Sequence, residues 1–222
     1  MSILSVIVAT ISLIAHVWIL TGEAYSRVAR TYAERNTAAA IQVIESARSS
    51  LPWQDASLAK QATEWQLFHN AQTATETFKL ALGVRPIDPY LWSRFSVAAF
   101  YAGDFRSGEA AALRALDLAP NTLAIALEQS AVGGQFLGQV SPELVHAWEK
   151  AAEFAMSSGA STTKLYLLKN RRETDFCRLI SRDSPTRDWC HFAEALRNHC
   201  DSSDVRNPSV AARCMRLGFL PK

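Results

Sequence analysis

The chain carries no strong charge of either sign. Its 23 Lys and Arg face 21 Asp and Glu, a formal net charge of +2 over 222 residues. No basic stripe is interleaved with aromatics, which disfavours nucleic-acid binding. The sequence also lacks a Gly-rich phosphate loop, a His-x-x-x-His or His-Glu-x-x-His pair and a Gly-x-Ser-x-Gly elbow. Those absences remove the usual markers of nucleotide, metalloprotease and serine-hydrolase chemistry. The serine-rich "ESARSS" and "SSGAS" supply no nucleophile elbow, and Glu173, Asp175 and Asp183 read as solvated helix ends. Strand-like alternation of Val, Ile and Thr is scarce beyond the N-terminus, whereas Ala is abundant. The expectation is an all-α chain with a real core, no catalytic residues, no cofactor and no metal.

A repeated spacing organises what is present. Pro52, Pro86 and Pro120 stand 34 residues apart. Five residues before each is Ala47, Ala81 or Ala115; twelve before is Ala40, Ala74 or Gly108. Sixteen before is Asn36, Asn70 or Asp104, preceded by Arg35, His69 or Gly103. Asn, Asp and Gly suit a turn between helices, small residues suit close helix approach, and proline stops the second helix. The unit is therefore a helix hairpin, with turns at 35–36, 69–70 and 103–104.

The pattern resembles the tetratricopeptide repeat (TPR). Residues 89–122 carry it best, through Trp92, Phe95, Gly103, Asp104, Ala115, Leu116, Leu118 and Pro120. Residues 55–88 carry it through Trp65, Ala74, Phe78, Ala81 and Pro86, and residues 21–54 more faintly. The glycine of the first helix and the tyrosine column are missing. The resemblance implies a helical-repeat array with Trp65, Phe78, Trp92 and Phe95 in the core. It puts Tyr25, Tyr32, Gln66, Phe100 and Tyr101 on a concave partner-binding face, aromatic and nearly uncharged. The Lys/Asn clamp for a C-terminal carboxylate is absent.

Helices are expected near 22–35, 37–50, 57–68, 71–83, 89–102, 105–118, 121–132, 141–157, 162–180, 187–200 and 208–217. "GGQFLGQV" at 133–140 interrupts the 34-residue register, and residues 123–222 add a helix pair and a C-terminal cap on the array.

Residues 3–20, "ILSVIVATISLIAHVWIL", run 18 positions without a formal charge. As a helix they span about 27 Å, close to bilayer thickness. A cleaved signal peptide and a buried core helix compete, but a transmembrane anchor over residues 1–21 fits best. Ser5, Ala9, Ser12 and His16 share one face, a strip suited to helix–helix contact in lipid. Arg27, Arg30 and Arg35 after the span favour a cytoplasmic C-terminal part.

The cysteines argue the other way. None occurs before Cys177; then come Cys190, Cys200 and Cys214. An even, clustered set favours disulfides in an oxidising compartment. Cys177 and Cys190 flank the break "SRDSPT", and Cys200 and Cys214 flank "DSSDVRNPS", so helical hairpins would pair them in that order. A zinc site drawn from Cys190, His191, His199, Cys200 and Cys214 competes, but no Cys-x-x-Cys knuckle exists. A catalytic Cys190–His199 pair competes too, as do four reduced thiols in the core. Disulfides imply a periplasmic C-terminal part on an inner-membrane anchor.

Short phrases complete the picture: "RPIDPYLWSRFSVAAFYAGD" (85–104), "ALRALDLAP" (112–120), "AW" (147–148) and "TDFC" (174–177). With the anchor and the cysteine-bearing tail, they resemble the small VpsP-like accessory proteins of bacterial exopolysaccharide gene clusters. That resemblance implies a non-enzymatic scaffold whose partner is an integral membrane protein of a polysaccharide synthesis or export complex. A carbohydrate-binding periplasmic protein with an aromatic groove and a generic envelope assembly factor are the competing expectations.

Overall fold

The computed structural model describes residues 70–201 together with Cys214. The expected anchor, the repeat at 21–54 and the helices before residue 70 lie outside the described residues, as does the helix at 208–217 apart from Cys214. So do Ser5, Ala9, Ser12, His16, Tyr25, Tyr32 and Gln66. Every regular element among the described residues is helical. None of those helices is long and apolar enough to cross a membrane. The chain divides into two compact units, Met1–Ile87 and Asp88–Lys222.

In the first unit, helix α1 covers Ala71–Val84. Asn70 caps it: its side chain accepts from the Thr73 amide at 3.1 Å, which satisfies one of the free N–H groups of the first turn. Ala74, Phe78, Ala81 and Leu82 are buried. The helix stops at Arg85, whose amide bonds to the Ala81 carbonyl, and Pro86 follows.

The second unit begins with α2, Pro89–Tyr101, and α3, Phe105–Leu118. Asp88 accepts from the Tyr90 and Leu91 amides, and Pro89 occupies the first turn, where its missing N–H costs nothing. The chain turns through Gly103, whose φ of +80° lies in the left-handed region that glycine enters freely. Asp104 then caps α3 through the Ser107 amide at 3.1 Å. Both α1 and α3 are 14 residues long. Their caps, Asn70 and Asp104, and the prolines that follow them keep the 34-residue spacing. The small column has a reason in α3: a Cβ on Gly108 would lie 2.8 Å from the Phe100 ring.

Helix α4, Leu123–Gly133, packs against α2 and α5, Pro142–Asn170. From Ile125 onward nearly every α4 side chain is buried, including Gln129 and Ser130. Helix α5 bends at Gly159, where a Cβ would meet Leu123 at 2.5 Å. The Thr163 hydroxyl donates to the Ala155 carbonyl across the bend at 2.8 Å. The sequence pattern ends a helix at this point, and the backbone does leave helical geometry there.

The expected helix over 162–180 is corrected. It ends at Asn170, because Arg171 takes a left-handed conformation (φ 56°) and the Arg171 and Arg172 amides close back on Leu168 and Leu167. A short α6, Glu173–Arg178, follows, then α7, Arg187–Asp201. Trp148 forms the centre of the core. It packs edge-on to Phe100 at 5.6 Å, and its indole N–H donates to Gln129 Oε1 at 3.3 Å. Gln129 in turn donates to the Ser93 and Ser96 hydroxyls at 2.8 Å each, so this buried polar group is satisfied. Phe95 is buried as expected; Trp92 is half-buried and packs against it at 6.1 Å.

Candidate functional site

Two places in the second unit gather polar side chains: a patch at the C-terminal end of α2, and the cleft between α6 and α7.

The patch is built around Tyr101. This expected site residue is 42% exposed. Its hydroxyl donates to Gln135 Oε1 at 3.0 Å and accepts from Arg172 Nη2 at 2.8 Å. Gln135 Nε2 donates to Asp175 Oδ2 at 2.8 Å, and Arg172 Nη1 lies 3.7 Å from that carboxylate. Phe136 packs edge-on to the Tyr101 ring at 5.8 Å. The neighbouring Gly134 is required by a close approach, since a Cβ there would fall 1.7 Å from the Asp175 carbonyl oxygen.

Tyr166, 38% exposed, extends the patch from the second arm of α5. Partial burial pushes its phenol above the ordinary range, and the Glu128 carboxylate acts in the same direction; Arg94 and Arg172 oppose them. Glu128 is fixed by the Ser93 hydroxyl at 2.6 Å and Arg94 Nη1 at 3.0 Å. Tyr101 and Gln135 are 34 residues apart, as are Arg94 and Glu128. Both contacts therefore join residues separated by the same 34 positions that separate the prolines.

Phe100 is a correction. The concave-face expectation makes it a partner-binding residue, yet it is 2% exposed. Its ring stacks on Phe136 at 5.2 Å and packs against Trp148. Adjacent residues of a helix point about 100° apart, so Phe100 and Tyr101 cannot share one narrow surface.

In the tail, the structure joins Cys177 to Cys190 and Cys200 to Cys214, with Cα atoms 5.7 and 5.6 Å apart. This is the pairing expected from the two breaks. It leaves none of these cysteines as a free thiolate for a zinc site or a Cys–His pair. Arg187 Nη1 donates to the Cys177 carbonyl at 3.1 Å, and Phe176 packs edge-on to Trp189 at 6.3 Å.

Glu173 is a second correction. Expected as a solvated helix end, it is instead 1% exposed. Its carboxylate pairs with Arg197 Nε, and Arg197 Nη1 also donates to Thr174 Oγ1 at 3.1 Å. Neither carboxylate oxygen accepts a well-aligned hydrogen bond. Burial pushes the carboxyl upward; its own backbone amide, then Arg197 and Arg171, restore part of that shift. Asp175 is half-buried in the Tyr101 patch, while Asp183 is exposed as expected.

Beside this pair a cleft of about 180 Å³ opens between α6 and α7. The Cys177–Cys190 bridge lines it, together with Thr174, Arg178, Arg187, His191 and Glu194. Among the described residues no group of three His, Cys, Asp or Glu side chains is arranged to hold a metal ion. No protein-family model matches the chain, and no curated protein matches it.

Proposed function

We propose that the chain is a non-enzymatic TPR-like adaptor. Residues 1–21 anchor it in the inner membrane, and the remainder lies in the periplasm. There it engages an integral membrane protein of a bacterial envelope complex that makes or exports exopolysaccharide. The observation that carries the binding role is the Tyr101 patch. Two half-exposed tyrosines and Arg172 sit together, with Tyr101 and Arg172 fixed by neighbouring side chains. Tyr and Arg dominate the energetically important positions of protein interfaces, and a preset conformation lowers the entropy lost on binding. The uncharged run at 3–20 supports the anchor, and the two disulfides support an oxidising compartment. The 34-residue spacing shared by α1 and α3 supports the repeat reading.

The test is capture of the full-length protein from crosslinked native membranes. An integral membrane protein should copurify, and Tyr101→Ala with Tyr166→Ala should lower its recovery about tenfold, equivalent to about 1.4 kcal/mol, with unchanged far-UV circular dichroism. Undiminished capture would remove the patch from the interface. Oligosaccharide binding that disappears in the same variant would make the protein a carbohydrate binder instead.

A further inference from the structure

We propose that Cys177–Cys190 is an exchange-active disulfide, opened by an external dithiol that enters the α6–α7 cleft, whereas Cys200–Cys214 is a permanent structural bridge. This proposal is independent of the adaptor reading. The two bridges share helix α7 but differ in access. Cys200 is 1% exposed and Cys214 is fully buried. Cys177 is partly exposed, and its bridge forms part of the cleft wall. Thr174, Arg178, His191 and Glu194 are exposed or half-exposed around it, so the cleft is open to solvent.

Both cysteines line the cleft, but Cys177 is partly exposed and Cys190 only 5% exposed, so the attack is assigned to Cys177 Sγ. Cys190 is then the leaving group. It lies at the end of the first turn of α7, its amide bonded to the Thr186 carbonyl, near the helix end that favours negative charge. Arg187 is held beside the bridge by its bond to the Cys177 carbonyl. Of the charged groups in the wall, Glu173 is paired with Arg197 and Arg178 donates to the Gly134 carbonyl, so Arg187 is the cation held at the bridge. Such a setting stabilises a thiolate and speeds its departure.

The steps balance with a dithiol as the two-electron reductant. One of its thiolates attacks Cys177 Sγ, forms a mixed disulfide and releases the Cys190 thiolate, which takes up a proton. The second thiol, on losing its proton, attacks the mixed disulfide from the reductant's side. It leaves as a cyclic disulfide and Cys177 leaves as a thiolate, which is protonated. Besides the bridge, the Arg197–Glu173 pair and the Phe176–Trp189 contact join α6 to α7.

The experiment uses the full-length oxidised protein under native conditions. It is exposed to low dithiothreitol, quenched by alkylation at intervals and mapped by peptide mass. Cys177 and Cys190 should be labelled at least about tenfold faster than Cys200 and Cys214. A parallel arm with glutathione should leave the glutathione on Cys177. Arg187→Gln, with unchanged circular dichroism, should slow the opening of the first bridge relative to the second. Equal rates for the two bridges, glutathione on Cys190, or opening only in urea would each overturn the proposal.

Discussion

The body formed by α2–α5 and the hairpin formed by α6–α7 are held by different means. In the body, helices approach through small residues: Gly108 under Phe100, Gly133 under Trp148, and the fully buried Ala112 and Ala152. Among its buried polar groups, Gln129, Ser93 and Ser96 satisfy one another, and Ser130 and Thr163 donate to backbone carbonyls. The hairpin contains a six-residue helix, too short to be stable alone. It is secured instead by the Cys177–Cys190 bridge, the buried Glu173–Arg197 pair and the Arg187 bond to the Cys177 carbonyl. In the body, where the core is thick, shape complementarity suffices; in the α6–α7 hairpin a crosslink and an ion pair add to it.

Substitutions should separate these two kinds of support. The largest loss is expected in the body. Trp148→Ala removes the central ring and its indole bond to Gln129, and should cost about 3–5 kcal/mol in urea unfolding. Replacing Cys177 and Cys190 together by serine should cost about 3 kcal/mol, because the bridge joins residues 13 apart in sequence. The deficit should vanish when wild type and variant are compared under full reduction.

Arg197→Ala leaves the Glu173 carboxylate buried without its paired guanidinium. Its cost should fall below the ~3–5 kcal/mol of a fully buried pair, because Arg197 is itself partly exposed. The pH dependence of Glu173 has a definite sign. A carboxyl raised in the folded state binds more protons there than in the unfolded chain, so its contribution falls as pH rises from about 4.5 through the folded value. Glu173→Gln should flatten that decline, measured as melting temperature against pH. The smallest effect belongs to the α3 cap: Asp104→Ala should cost about 1 kcal/mol.

Much of this organisation is legible in the sequence. The breaks at Asn70 and Asp104, the stops at Pro86 and Pro120, and the start of α5 at Pro142 are local signals that survive packing, although Asn70 and Asp104 serve as helix caps rather than as left-handed turn residues. The cysteine pairs are legible because each flanks a visible break. The end of α5 is not. Arg171 adopts a left-handed conformation with no Gly or Asn in its place to announce it, so the helical pattern runs on to residue 180. Phe100 and Glu173 depart from expectation for a shared reason. Burial depends on which helix comes back over a face, and the approach of Trp148 to Phe100, like that of Arg197 to Glu173, is a long-range event. The Tyr101 partners are half legible: Gln135 sits 34 residues further on, the spacing of the prolines, whereas Arg172 arrives through the unforeseen turn.

Amide hydrogen exchange on the full-length protein, oxidised and then fully reduced, tests the contrast most directly. The account predicts that reduction lowers protection in α6 and the first turns of α7 while α2, α3 and α4 keep theirs. Equal loss of protection across α2–α7, or no loss in α6, would contradict it.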